Sequence, residues 1–299
     1  MDYLKYFIST LLIFSSISAH AERNFTDVSL KTIKVHANVY MLEGVNGFAG
    51  GNIAVSIGSD GILIVDDQFA PMADKIKAAL SDLGQGELRF ILNTHWHGDH
   101  TGGNIVFSDH ATVIAHDNVR KRLMSLQKND FGESPAQPKE AWPVITFEQS
   151  VNIHFNDETI NVIHFPNGHT DSDSIVYFTG ANVVHMGDHF FAGAFPFIDL
   201  NSNGNAVHYA NNIGRILAML PDDVMVIPGH GHLSTKKDLM AYHKMLNDSI
   251  AFVKQYKADG KSLSDIQTMG LPESLKKWET GFIKQDNWIK FIYQSLDSV

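Results

Sequence analysis

Apolar positions along the chain recur with two periods, and the way those periods alternate predicts the architecture. Residues 35–42, 52–57 and 62–65 are short β-branched runs, with Ser59-Asp60-Gly61 as a hairpin turn between the last two, so strands are expected there. The period then lengthens. Met72, Ile76, Ala79, Leu80 and Leu83 share one face of a helix, with Pro71 in its first turn and Gly84 as its stop. Residues 88–92 read as a buried strand that runs straight into a histidine-rich segment, where α/β proteins place chemistry. Residues 116–127 read as helical. Residues 128–141, with Gly132, Pro135 and Pro138 among polar side chains, read as a loop or insertion that offers a contact surface. Four strands are expected between Val144 and Met186, followed by a helix over 206–220 stopped by Pro221, with Val207, Ala210, Ile213, Leu217 and Leu220 inward. A strand over 224–227 ends at Pro228-Gly229-His230. Ser234 then caps a long helix whose stripe is Leu239, Leu246, Ile250 and Val253, and a last helix spans 282–296. Strand-rich blocks alternating with helices in both halves predict an α/β protein with two sheets packed together and helices outside.

The two ends and the composition narrow the class. Lys5, the apolar run 6–17 and the small-x-small Ala19-His20-Ala21 read as an export signal over residues 1–21, with an uncleaved anchor as the alternative. At about 12 residues the run is too short for a membrane span, which needs roughly 20. Residues 22–299 are then expected to form one domain, periplasmic or secreted. The chain has no cysteine, which excludes disulfides and thiolate metal ligands. Its net charge of -10 and lack of a basic footprint argue against nucleic acid. No Lys or Arg occurs between Glu140 and Gly214.

The densest chemistry lies at residues 93–103, Asn-Thr-His-Trp-His-Gly-Asp-His-Thr-Gly-Gly, which hold His95, His97, Asp99 and His100. His95 and His97, two apart, point the same way on an extended or looping backbone, whereas a helix would separate them. Gly98 and Thr101-Gly102-Gly103 are expected to let the chain turn tightly. Four such side chains exceed what one metal with an open position takes from a single loop, which points to a second metal. Three later strands end in the same residue types beside glycine: Asn167-Gly168-His169, Gly187-Asp188-His189 and Pro228-Gly229-His230. Strand ends at one sheet edge can converge in space.

His95, His97, Asp99 and His100, followed in order by His169, Asp188 and His230, resemble the HxHxDH…H…D…H signature of the metallo-β-lactamase superfamily, and the likeness spans residues 35–235. The resemblance implies an αββα four-layer sandwich. It also implies one zinc on His95, His97 and His169, a second on Asp99, His100 and His230, Asp188 bridging them, and a catalytic role for Asp99. Iron or manganese suit the same nitrogen and oxygen donors. The implied reaction is hydrolysis at a carbonyl or phosphoryl centre, since zinc brings the pKa of its water to about 7.

Other polar and aromatic residues are read more plainly. His189, His232, Thr94 and Asp66 stand beside the ligands or at the surface, and His116, His154, His164, His185 and His208 are ordinary strand or helix residues. Residues 44–51 form either a flap whose Phe48 covers an apolar substrate or a plain hairpin loop. Phe190, Phe191, Phe195, Pro196 and Phe197 line a pocket or fill the core.

Departures from known subgroups bear on the substrate. Asp188 stands where the commonest lactamases carry a cysteine. His100 beside Asp99 is similar to another lactamase subclass, which lacks the bridging aspartate, and Asp188 looks like that of glyoxalase II, lactonases and phosphodiesterases. The basic-free run removes the residue that lactamases often offer to a substrate carboxylate, unless Arg215 or Lys139 reaches the site. The expectation is an exported dinuclear zinc hydrolase opening β-lactams or lactones. A glyoxalase II-like thioesterase, a phosphodiesterase and a non-catalytic zinc-binding protein follow in that order. A small molecule is the expected partner, and the oligomeric state stays open.

Overall fold

A computed structural model describes residues 24–129 and 132–298, so the expected export signal over 1–21 lies outside the described residues. The first sheet is built from β1 (Ser29–His36), β2 (Val39–Val45), β3 (Ile53–Gly58), β4 (Gly61–Val65), β5 (Leu88–Asn93) and β6 (Thr112–His116). A small ribbon of β7 (Gln127–Asn129) and β8 (Gly132–Ser134) follows, and β9 (Ile145–Phe147) then completes the first sheet beside β6. Pairing is antiparallel from β1 to β4 and parallel from β4 through β5 and β6 to β9. The second sheet runs in chain order through β10 (Ser150–Phe155), β11 (Glu158–His164), β12 (Ser174–Phe178), β13 (Val183–His185), β14 (Met225–Ile227) and β15 (Ser234–Thr235), with only β13 and β14 parallel.

Both sheets are apolar on both faces, and the two-residue period of a strand assigns each side chain to a layer. Ile62 and Ile64 of β4 pack outward with Met72, Ile76 and Leu80 of the helical segment after it, while Leu63 and Val65 face the second sheet. There they meet Ile160, Val162, Val176 and Phe178. Ile175, Val184 and Val226 face the opposite way, onto Tyr209, Ile213, Tyr242, Leu246, Trp288 and Ile292 of the helices Ala206–Met219, Lys236–Ala258 and Gln285–Ser295. The layers therefore run helix, sheet, sheet, helix.

Several element boundaries differ from expectation for local reasons. The single strand expected over 35–42 is two, because Ala37 takes a φ of 46° and reverses the chain between β1 and β2. Five strands, not four, occupy 145–185. The helix expected over 116–127 is Asp117–Leu123, and part of the expected loop is the β7–β8 ribbon. Thr235, not Ser234, caps the long helix, because Asp238 completes a reciprocal capping box with it. The last helix starts at Gln285, leaving Phe282 in the loop before it. In Ala206–Met219 the buried face is rotated: Tyr209 and Ile216 are buried, while Val207 and Leu217 are only half-buried.

Asn52 ties the two sheets together at the edge where β5, β13 and β14 end. Its side-chain amide donates to the carbonyls of Pro228 (3.0 Å) and Gly231 (2.8 Å), and its backbone N–H donates to Gly229 O at 2.8 Å. Its own carbonyl accepts from His185 Nε2 at 2.9 Å. Asn52→Ala should therefore leave two carbonyls without these partners and cost about 2 kcal/mol, read as a lower midpoint in urea unfolding at unchanged slope.

Candidate metal centre

The strand β5 carries the chain to the sheet edge, where Thr94 to Trp96 bend, His97 is extended (φ -61°, ψ 145°) and Gly98–Thr101 then form a single helical turn. This places His95 and His97 on the looping part and Asp99 and His100 on the turn. Gly102 and Gly103 form the expected turn, but with ordinary helical angles (φ -66° and -75°) that any residue adopts. Glycine is needed there for close approach instead. A Cβ on Gly102 would lie 2.6 Å from Gly98 O, and one on Gly103 would lie 2.5 Å from Asp67 O.

All seven sequence-predicted donors come together. Ligand atoms of His95, His97, His169 and Asp188 form one group, and those of Asp99, His100 and His230 another, each within 4.8 Å internally. Asp188 presents one oxygen to each. Its Oδ2 lies 3.3 Å from His169 Nε2 and 3.7 Å from His95 Nε2, and its Oδ1 lies 3.2 Å from His100 Nε2 and 3.3 Å from His230 Nε2. Asp99 Oδ2 is 3.4 Å from His230 Nε2 and 3.7 Å from His100 Nε2.

Partners behind the imidazoles decide which ring nitrogen faces inward. The carboxylate of Asp66 can only accept, so His100 Nδ1 donates to it at 2.7 Å and Nε2 is left as the inward lone pair. Asp199 accepts from His97 Nε2 at 3.0 Å, which turns Nδ1 inward. The Phe197 carbonyl accepts from His169 Nδ1 at 2.8 Å. Thr94 Oγ1 donates to Asp66, so its oxygen accepts from His95 Nδ1 at 3.0 Å. His230 is held by rings, stacked on Phe48 at 5.7 Å and on Phe191 at 5.2 Å.

These assignments leave lone pairs facing one another, with His97 Nδ1 only 2.8 Å from His169 Nε2 and 3.1 Å from His95 Nε2. Zinc at 2.0–2.1 Å from each of its donors has tetrahedral edges of about 3.3 Å, so the cluster fits a cation of that size. The Asp188 Oδ1 atom is buried without a hydrogen-bond donor among the described residues, as a metal-facing oxygen would be. Burial alone would push the Asp188 carboxyl up, but His230, His100, His95 and His169 hold it well below the usual carboxylate range. Burial pushes His95 well down and His169 down to about 4, favouring the neutral, ligating form. For His100 burial is outweighed by Asp188, Asp99 and Asp66, which hold its proton affinity well above the ordinary value.

A model described as the metallo-β-lactamase superfamily matches residues 53–232. The chain belongs to this superfamily. A hydroxyacylglutathione hydrolase of Erythrobacter litoralis is 28% identical over 172 residues, 56% of this chain and 59% of that protein. Among solved structures, a metallo-β-lactamase from Pontibacter korlensis matches with TM-score 0.59 at 16% identity, covering 74% of this chain and all of that one. A sec-alkyl sulfatase double mutant matches with TM-score 0.66 at 14% identity, covering 89% of this chain and 50% of that one. At these identities the structures speak to the fold alone, which is the αββα sandwich of the superfamily.

The remaining sequence candidates divide. Asp66 and Thr94 stand behind the donors. His189 is buried and stacked on Tyr209 at 5.7 Å, and His232 is mostly exposed and pairs with Glu43. Phe191 and Phe197 reach the cleft, while Phe190 packs on Tyr242 in the core. Phe48 lines the cleft as well. Neither Lys139 nor Arg215 does; Arg215 lies over the Phe165 ring. Sequence reasoning missed Asp199, and also Tyr209, whose hydroxyl donates to the Asp188 carbonyl at 2.9 Å.

Asp199→Ala should weaken zinc binding at the His97 group about 10-fold, measured by competition with a chromophoric chelator. Gly51→Ala should act on the other group, because its Cβ would stand 2.2 Å from His100 Cε1.

Proposed function

We propose that the chain is an exported dinuclear zinc hydrolase acting at a carbonyl, with β-lactam or lactone ring opening as its reaction. The observation that carries this is Asp188, one carboxylate offering an oxygen to each of two donor groups. Zinc held there would supply a polarised carbonyl and a water acidic near neutral pH. The chain's own residues do the rest. Asp99 is 21% exposed at its side chain against 5% for Asp188, so it is the carboxylate that can exchange protons with substrate. With Oδ2 turned to the imidazoles, its second oxygen takes the proton of the attacking water and returns it to the leaving oxygen or nitrogen of the opened ring. Residues 22–299 are taken as one catalytic domain left after removal of 1–21, which N-terminal sequencing of exported protein tests.

A glyoxalase II-like thioesterase is the second reading, favoured by the likeness to the hydroxyacylglutathione hydrolase. Elemental analysis should find two zinc per chain, and Asp99→Ala should retain one and lose about 100-fold or more in turnover. Parallel assays with a chromogenic cephalosporin, an acyl-homoserine lactone, S-lactoylglutathione and a phosphodiester separate the readings; turnover of the phosphodiester alone would sink the proposal.

A further inference from the structure

We infer that the site, if it is the hydrolase proposed above, selects uncharged esters or lactones carrying an aryl or alkyl group and turns away anionic substrates. The cleft over the donors has a volume of about 800 Å³, and six aromatic rings line it: Phe48, Phe69, Trp96, Phe191, Phe197 and Phe282. Its ionisable lining consists of Asp99, Glu133 and Asp188 beside the imidazoles of His97 and His230, and among the described residues no Lys or Arg lines it.

A side pocket of about 320 Å³ shares Phe48, Phe191, His230 and Phe282 with the cleft, and the charged residue it adds is Glu43. The two spaces meet beside the donors, which suits a reacting carbonyl with an apolar group on each side. Nearby basic side chains are already committed. Arg122 lies over the Trp96 ring at 5.8 Å and is clamped by Asp171 through bonds of 2.7 and 2.6 Å, and Lys128 is paired with Glu133.

Moving an aryl or alkyl group from water onto these rings is favourable in proportion to the area covered. A carboxylate moved to the same place loses its hydration, and among the described residues no Lys or Arg lining the cleft offers it a counter-charge. Metal held by Asp99 and Asp188 would offset those two carboxylates, so the selection rests on the aromatic walls and on the lack, among the described residues, of a Lys or Arg in the lining. Penicillin-type lactams and glutathione thioesters both carry carboxylates, so within the proposed reaction this charge pattern favours neutral lactones and esters.

Two probes sharing one aromatic frame test this without metal: N-phenyl-1-naphthylamine, which is neutral, and 8-anilino-1-naphthalenesulfonate, which is anionic. Fluorescence titration of the metal-free full chain should show the neutral probe binding at least about tenfold tighter. Phe282→Lys and Phe48→Lys place a cation at residues that are 57% and 48% exposed, so the fold can accept them, and circular dichroism checks that it has. Each should shift the preference toward the sulfonate by about tenfold. Equal or tighter binding of the sulfonate by the unaltered chain, or a preference that neither variant moves, overturns the inference.

With zinc added, p-nitrophenyl butyrate should exceed p-nitrophenyl hemisuccinate in kcat/KM by about tenfold or more. Equal turnover of the two overturns the charge selection and leaves the hydrolase standing. No turnover of either ester, nor of the cephalosporin, lactone or thioester in the parallel assays, with the probe preference intact, overturns the hydrolase and leaves the charge selection standing.

Discussion

The carboxylate of Asp188 is buried, its Oδ1 has no hydrogen-bond donor among the described residues, and ring nitrogens of four imidazoles lie within 3.2 to 3.7 Å of its two oxygens. A carboxylate so placed is tolerable only where positive charge is brought to it, from protonated imidazoles or from metal. The surrounding structure follows from that requirement. Asp66, Asp199 and the Phe197 carbonyl can only accept hydrogen bonds, so each holds an imidazole with its lone pair turned to the same small volume. Backbone is cleared from the same volume. A Cβ on Gly229 would stand 2.2 Å from Asp188 Oδ1, and Gly187, at a φ of 50°, would press its own against Thr94.

What the sequence disclosed was the part encoded over short range. His95, His97, Asp99 and His100 are neighbours on one segment, and His169, Asp188 and His230 each follow a strand exit beside glycine, so spacing and context marked them as candidates, while their division into two groups came from the family resemblance. The layers were legible for a similar reason, because Ile62 and Leu63 differ in face by the strand period alone. Asp199 was not legible, since its contact with His97 spans 102 residues and no local pattern marks it. The rotated face of Ala206–Met219 was hidden because two other helices and a sheet share its surroundings, which brings Tyr209 inward to hold the Asp188 backbone. Thr235 as the helix cap was available in principle, through the spacing of Thr235 to Asp238.

Donors and walls come from different kinds of chain. The donors sit at strand ends or one turn beyond, fixed by two sheets that Asn52 staples together. Apart from Trp96, which lies between His95 and His97 in the donor segment, the aromatic and acidic walls come from separate connections: Phe48 from the loop between β2 and β3, Phe69 from the one after β4, Glu133 from the ribbon, Phe191 and Phe197 from the segment after β13, and Phe282 from the loop before the last helix. Loops can change while the sheets keep the donors in place, which is how one fold hosts many substrates.

That separation breaks down most clearly at one residue. His230 is a donor, yet it is sandwiched between Phe48 and Phe191, which are also walls of both the cleft and its side pocket. Its ring orientation rests on those stacks; among the described residues it has no carboxylate or carbonyl hydrogen-bond acceptor behind it of the kind that fixes His97, His100 and His169. A substrate that displaces Phe48 therefore acts on the second donor group as well, and a change made to Phe48 for selectivity also alters the hold on metal there. At His230 substrate fit and metal coordination are one packing problem, and Trp96 and Phe197, 4.5 and 5.9 Å from the His97 ring, extend the same coupling to the first donor group.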